Sequence, residues 1–137
     1  MVATSRTQEH VGEWKLTISA DSLDDLFREA ARVVARAIGP TQGEVGEPQH
    51  VSLAARDTAT LLADWMNELI GRSEVDGVAY DDVRVVVIES QDGSTLDAEI
   101  RGRIVRAWQS PLKAVTYHGL ALTSVNDKLR ATLVIDV

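Results

Sequence analysis

The feature that most constrains this chain is a change of hydrophobic period part-way along it. Before about residue 71, apolar residues twice fall into helical spacing, each time after a short alternating segment. Beyond residue 83 the helical spacing is gone and only short β-rich runs remain. Residues 11–19 (VGEWKLTIS) alternate around Trp14, Leu16 and Ile18 and predict a strand. The segment ADSLDDLFREAARVVARAIG follows, with Leu23, Leu26, Phe27, Ala30, Ala31, Val34 and Ile38 forming the stripe of an amphipathic helix. Ser22 is placed to cap it, with Asp25 in the reciprocal position, and Gly39-Pro40 ends it. Residues 39–48 read as a loop and 50–56 (HVSLAAR) as a strand. Asp57 or Thr58 then caps a second helix whose stripe is Leu61, Leu62, Trp65, Met66, Leu69 and Ile70, with Gly71 as its terminator.

After SEVDGVAYDD the character changes to four strands, 83–89, 95–105, 113–122 and 130–137, separated by turns such as QDGS and VNDK. Strands that succeed one another without helices pair antiparallel. The order therefore predicts an α+β fold in two layers, with two amphipathic helices packed on a mainly antiparallel β-sheet. At 137 residues, 45% hydrophobic and 26% charged, the chain suits a single globular domain with a sizeable core.

Composition narrows function by exclusion. There is no cysteine, so disulfides, thiolate metal sites and cysteine nucleophiles are out. No apolar run approaches the roughly 18 residues of a membrane helix, and MVATSRTQEH is no signal peptide, so a cytoplasmic protein is expected. With 21 acidic against 14 basic residues the net charge is -7, and there are one Phe and two Tyr. Phosphate-backbone binding is driven by Lys and Arg, and single-strand binders stack bases on aromatic rings. The balance therefore predicts no direct nucleic-acid binding and suits a cation or a basic protein partner.

Three groups of residues have chemical potential. His10-Val11-Gly12-Glu13 sets an imidazole three residues from a carboxylate at the entrance to the first strand, but His10, His50 and His118 without an HExxH motif argue against catalytic zinc. In the last strand, Asp136 adjoins the main-chain carboxylate of Val137, and such hard oxygens suit Ca²⁺ or Mg²⁺. The string PLKAVTYHGLAL gathers Lys113, Thr116, Tyr117 and His118, although strict alternation would send Tyr117 and His118 to opposite faces. No nucleophile–base set, phosphate-cradling glycine loop or dinucleotide fingerprint appears. In LLADWMNELI, Asp64, Asn67 and Glu68 lie off the apolar stripe.

Taken in order, these strings resemble the archease family over essentially the whole chain. HVGE stands where that family has His-Thr-Ala-Asp, and SLDDLFREAA looks like its first helix. LLADWMNELI is similar to its Leu-Leu-x-x-Trp-Leu-Asn-Glu-Leu segment, LKAVTYHGLAL to its Lys-Ala-x-Thr-Tyr-His strand, and LVIDV to its closing strand. The resemblance implies a non-enzymatic protein cofactor of the tRNA-splicing type of RNA ligase, one that promotes guanylylation and turnover of the ligase and binds a divalent cation. Carried over by position, the cation ligands are Glu13, Asp136 and Val137. Glu13 departs from the family's Asp by one methylene, and Val11-Gly12 replaces Thr-Ala. His10, Lys113, Tyr117 and His118 are further candidates on the same resemblance. A second activity associated with the family is chaperoning or modulating RNA-modifying enzymes such as tRNA methyltransferases. A reading of another class, a small metal-dependent hydrolase, would use Glu13, Asp136 and His118.

Overall fold

The computed structural model describes residues 3–137. Among them the chain runs β1 (Thr4–His10), β2 (Glu13–Ala20), α1 (Leu23–Ile38), β3 (Thr41–Gln42), β4 (Gln49–Ala55), α2 (Thr58–Asp76), β5 (Val78–Ser90), β6 (Gly93–Val105), β7 (Ala114–Val125) and β8 (Lys128–Asp136). The fold is α+β, as the order of periods predicts, and its strand pairs are all antiparallel. The strands divide into two sheets where a single one was expected. The first has the order β1-β2-β8-β7. In the second, β6 is flanked by β5 on one edge and by β3 and β4 on the other.

Each helix packs against strands of both sheets, so the two stripes and the inner faces of both sheets share one core. Leu16, Ile18, Leu133 and Ile135 come from the first sheet, Leu96 and Ile100 from the second, and Phe27, Leu61, Leu62 and Trp65 from the helices. Trp65 is fully buried, and its indole N–H donates to the Phe27 carbonyl at 2.9 Å, which ties the two helices together.

The caps follow local chemistry. Ser22 accepts from the Asp25 N–H at 3.2 Å, and Asp57, not Thr58, accepts from the Thr60 N–H at 2.7 Å. Gly71, however, does not end α2. The helix runs on to Asp76 and closes at Gly77, in the left-handed region at φ 69°, whose N–H reaches Ser73 O. The last turn is held because Ser73 is buried and Ile70 packs in the core, so helix persists through the glycine.

Three strand assignments also change, the first being β3, which pairs with β6 inside the stretch 39–48 expected to be loop. Residues 4–10 form β1, a polar edge strand whose partner on the far side is α1: Ser5 donates to the buried Glu29, which also accepts from Arg36 at 2.9 Å and Arg32 at 3.2 Å. β5 begins at Val78, five residues before the expected 83, because a bulge between Ala79 and Asp82 turns the buried Tyr80 into the core while the ladder with β6 continues.

Candidate metal centre at the end of the first sheet

His10 and Glu13 pair across a two-residue loop, Val11-Gly12, with Gly12 at φ 85°. What looked like the entrance to a strand is thus a hairpin. Its second strand, β2, lies beside β8 with Glu13 opposite Asp136. The Val137 N–H donates to Gly12 O at 3.1 Å, so positions 12 and 137 form the hydrogen-bonded pair and Glu13 and Asp136 the adjoining narrow one. Cβ atoms at such a pair stand about 4.5–5.5 Å apart. On the other flank of β8, the Lys113 N–H donates to Asp136 O at 2.8 Å, and Ala114 is the strand partner of Asp136.

Three of the sequence candidates therefore meet at one end of the sheet: Glu13 and Asp136 face each other, and Val137 continues the ladder by one residue with its side chain against the core. His10 stands in the same cross-strand row, and Lys113 adjoins through its main chain. Glu13, Asp136 and His10 are exposed. Like charges directly opposite in a ladder destabilise it, and no cationic side chain pairs with either carboxylate among the described residues. A hard divalent cation would remove that repulsion. Two carboxylates supplemented by main-chain oxygens and water suit Mg²⁺ or Ca²⁺. Among the described residues no three His, Asp or Glu side chains come together to hold an ion, so the protein side chains alone make a sparse site.

Tyr117 and His118 lie elsewhere on β7. Thr116 pairs with Val134 and the next pairing is Ala121 with Thr132, so residues 117–120 leave the ladder in a wide bulge. Alternation fails there, and both side chains are exposed. The His118 N–H donates to Thr116 Oγ1 at 3.0 Å, and the Thr116 hydroxyl bonds back to His118 O. Tyr117 reaches α2, where its hydroxyl donates to Asp64. That bond, with partial burial, pushes the Tyr117 phenol above its ordinary range. The hydrolase trio of Glu13, Asp136 and His118 is not assembled.

Sequence reading missed Asn67 as a positioning residue. Its carboxamide accepts from the Val115 N–H at 2.7 Å and donates to Val115 O at 3.1 Å, completing the free edge of β7 where the bulge begins. Its place off the apolar stripe was a usable signal, since a carboxamide at a helix–sheet contact can bond a strand edge in both directions.

Residues 6–137 match the model of the Archease protein family. The chain belongs to the archease family. Among its relatives, the archease of Methanosarcina acetivorans is 30% identical over 135 residues, covering 94% of this chain and 92% of that one. That of Methanopyrus kandleri is 28% identical over 136 residues, covering 94% and 96%. A solution structure of a Methanobacterium thermoautotrophicum protein superposes with a TM-score of 0.79 at 20% identity, over 97% of this chain and 98% of the other. The crystal structure of a Thermotoga maritima archease, described there as a possible chaperone, gives 0.66 at 21% identity over 96% of each chain. These two likenesses bear on the fold of an archease. Among the described residues no helix is long and apolar enough to cross a membrane.

Proposed function

We propose that this archease is a non-enzymatic protein cofactor of an RNA ligase of the tRNA-splicing type, raising the ligase's guanylylation and turnover. The observation that carries the reading is the opposition of Glu13 and Asp136 at the end of the first sheet, at the positions the family resemblance gives to a divalent cation. Glu13, Asp136 and the main-chain oxygens of Val137 hold the cation, which supplies positive charge at an exposed corner that a partner can reach. The remaining face residues need carry no chemistry of their own, in keeping with the lack of any nucleophile–base pair in the sequence.

The test is multiple-turnover ligation by the host's ligase with and without the protein. Stimulation by the wild-type chain, reduced in Glu13→Gln and Asp136→Asn while the fold is retained, supports the reading. Unchanged turnover at saturating protein overturns it. A second reading, a chaperone or modulator of RNA-modifying enzymes, is favoured by the description of the Thermotoga relative. It predicts suppressed aggregation of a tRNA methyltransferase with no effect on ligation.

A further inference from the structure

The outer face of the first sheet carries a second polar feature. Down the ladder from Glu13 and Asp136, the next row holds Gln8, Lys15 and Val134. Then come Arg6, Thr17 and Thr132, and after them Thr4, Ser19 and Arg130. Alternation puts these side chains on the face away from the buried Leu16, Ile18, Ala131 and Leu133. Thr4, Arg6, Lys15, Thr17, Arg130 and Thr132 line one hollow of about 420 Å³.

In a chain of net charge -7 this hollow is locally basic, and no acidic side chain lines it. Arg6, Lys15 and Arg130 are exposed, and among the described residues none of them makes an ion pair or a side-chain hydrogen bond. Several cations elsewhere are tied up, Arg28 with Asp25, Arg32 and Arg36 with Glu29, and Arg72 with Glu68. Arg6, Lys15 and Arg130 have no anionic partner within the hollow, and an anion bound there would offset their mutual repulsion.

Spacing says which anion. Arg6 and Arg130 are two strands and one row apart, about 12 Å, and Lys15 lies four residues along β2 from the row of Arg130, roughly 13 Å. Backbone spacings of this size match successive phosphates of a strand better than a single phosphate. Threonine hydroxyls are the ordinary companions of Arg and Lys at phosphate oxygens. The hollow has no aromatic ring on which a base could stack.

We propose that this face binds the phosphodiester backbone of a single-stranded RNA without reading its bases. Net charge had argued against nucleic-acid binding. The clustering of cations along this face, beginning one row from Glu13 and Asp136, is what a sum over the chain conceals. The proposal rests on the proposed function only in naming RNA, and its test contains no ligase, so the two fail separately.

The experiment is fluorescence anisotropy with a labelled 20-nucleotide oligouridylate, titrated with the full chain across a salt series. Neutralising three phosphates predicts a slope of log K against log salt of about -2, or roughly twentyfold weaker binding between about 50 and about 200 mM salt. The triple variant R6A/K15A/R130A should bind at least about tenfold more weakly at low salt, with its slope moved toward zero. R84A/R101A, on the second sheet, should bind as the wild type does. The three positions are exposed, so the variant should fold, as a thermal melt will check. If it does not, K15A alone with its salt slope serves. No binding at low salt, a triple variant equal to wild type, or competition by polyglutamate as strong as by unlabelled RNA each overturns the proposal.

Discussion

Asn67 closes the free edge of β7 with one carboxamide, both donating to and accepting from Val115. Each such bond contributes about 0.5–1.5 kcal/mol, so Asn67→Ala should destabilise by about 2 kcal/mol in urea unfolding. Asn67→Asp should also destabilise, because a carboxylate cannot donate to the Val115 carbonyl. Trp65 is the larger case. Fully buried between the helices, it should cost ~3–5 kcal/mol as Trp65→Ala, and a loss below about 1 kcal/mol would contradict its place in the core. Tyr80 contributes to the loss of stability at alkaline pH. Burial, then its bond to Asp76, pushes its phenol up to about 12 from the ordinary 10.0. The folded value is the higher one, so this residue's contribution is fully present below pH 10 and is lost as pH rises toward about 12. Denaturant titrations across that interval should show falling stability, and Tyr80→Phe should flatten the fall.

Among the elements, α2 contains the clearest disagreement between local and tertiary preference. Gly71 is helical, and a Cβ built there meets nothing within 4 Å. Gly71→Ala should therefore stabilise the protein by about 0.5–1 kcal/mol. Gly77 also has open space, but its φ of 69° makes Gly77→Ala destabilising by about 1 kcal/mol. Opposite shifts in melting temperature from the same chemical change would verify where the helix ends. The hairpins were better signposted. Asn126 and Asp127 both take positive φ in the turn from β7 to β8, as the VNDK signal suggests. The bulge at 117–120 was marked by Gly119, which takes φ 72° within the strand. It depends on α2, whose Asn67 and Asp64 bond Val115 and Tyr117 at its start, and helix–strand contacts leave no period in the sequence.

At the scale of the whole molecule, the Glu13–Asp136 pair joins the first hairpin to the last strand. A cation there would bind the folded chain and not the unfolded one, where the two residues are far apart. Mg²⁺ or Ca²⁺ at a hundredfold excess over Kd should then stabilise by about 2.7 kcal/mol, seen as a rise in melting temperature that Asp136→Asn weakens. Glu13→Asp should strengthen the response if the shorter side chain restores the family's geometry. Much of this architecture was legible from one dimension. Capping residues, helical stripes and hairpin turns are set by contacts within a few residues, so Ser22, Leu61 to Ile70 and Asn126-Asp127 could be read from spacing alone, and the cap of α2 down to Asp57 or Thr58. The resemblance named Glu13, Asp136 and Val137, but their opposition comes from the register of β2 with β8, which are separated by more than a hundred residues. The division into two sheets, the polar strand β1 and the basic face of Arg6, Lys15 and Arg130 were likewise decided by tertiary structure. Each depends on which strands become neighbours, and that choice is made by burial against α1 and α2, which no local period records.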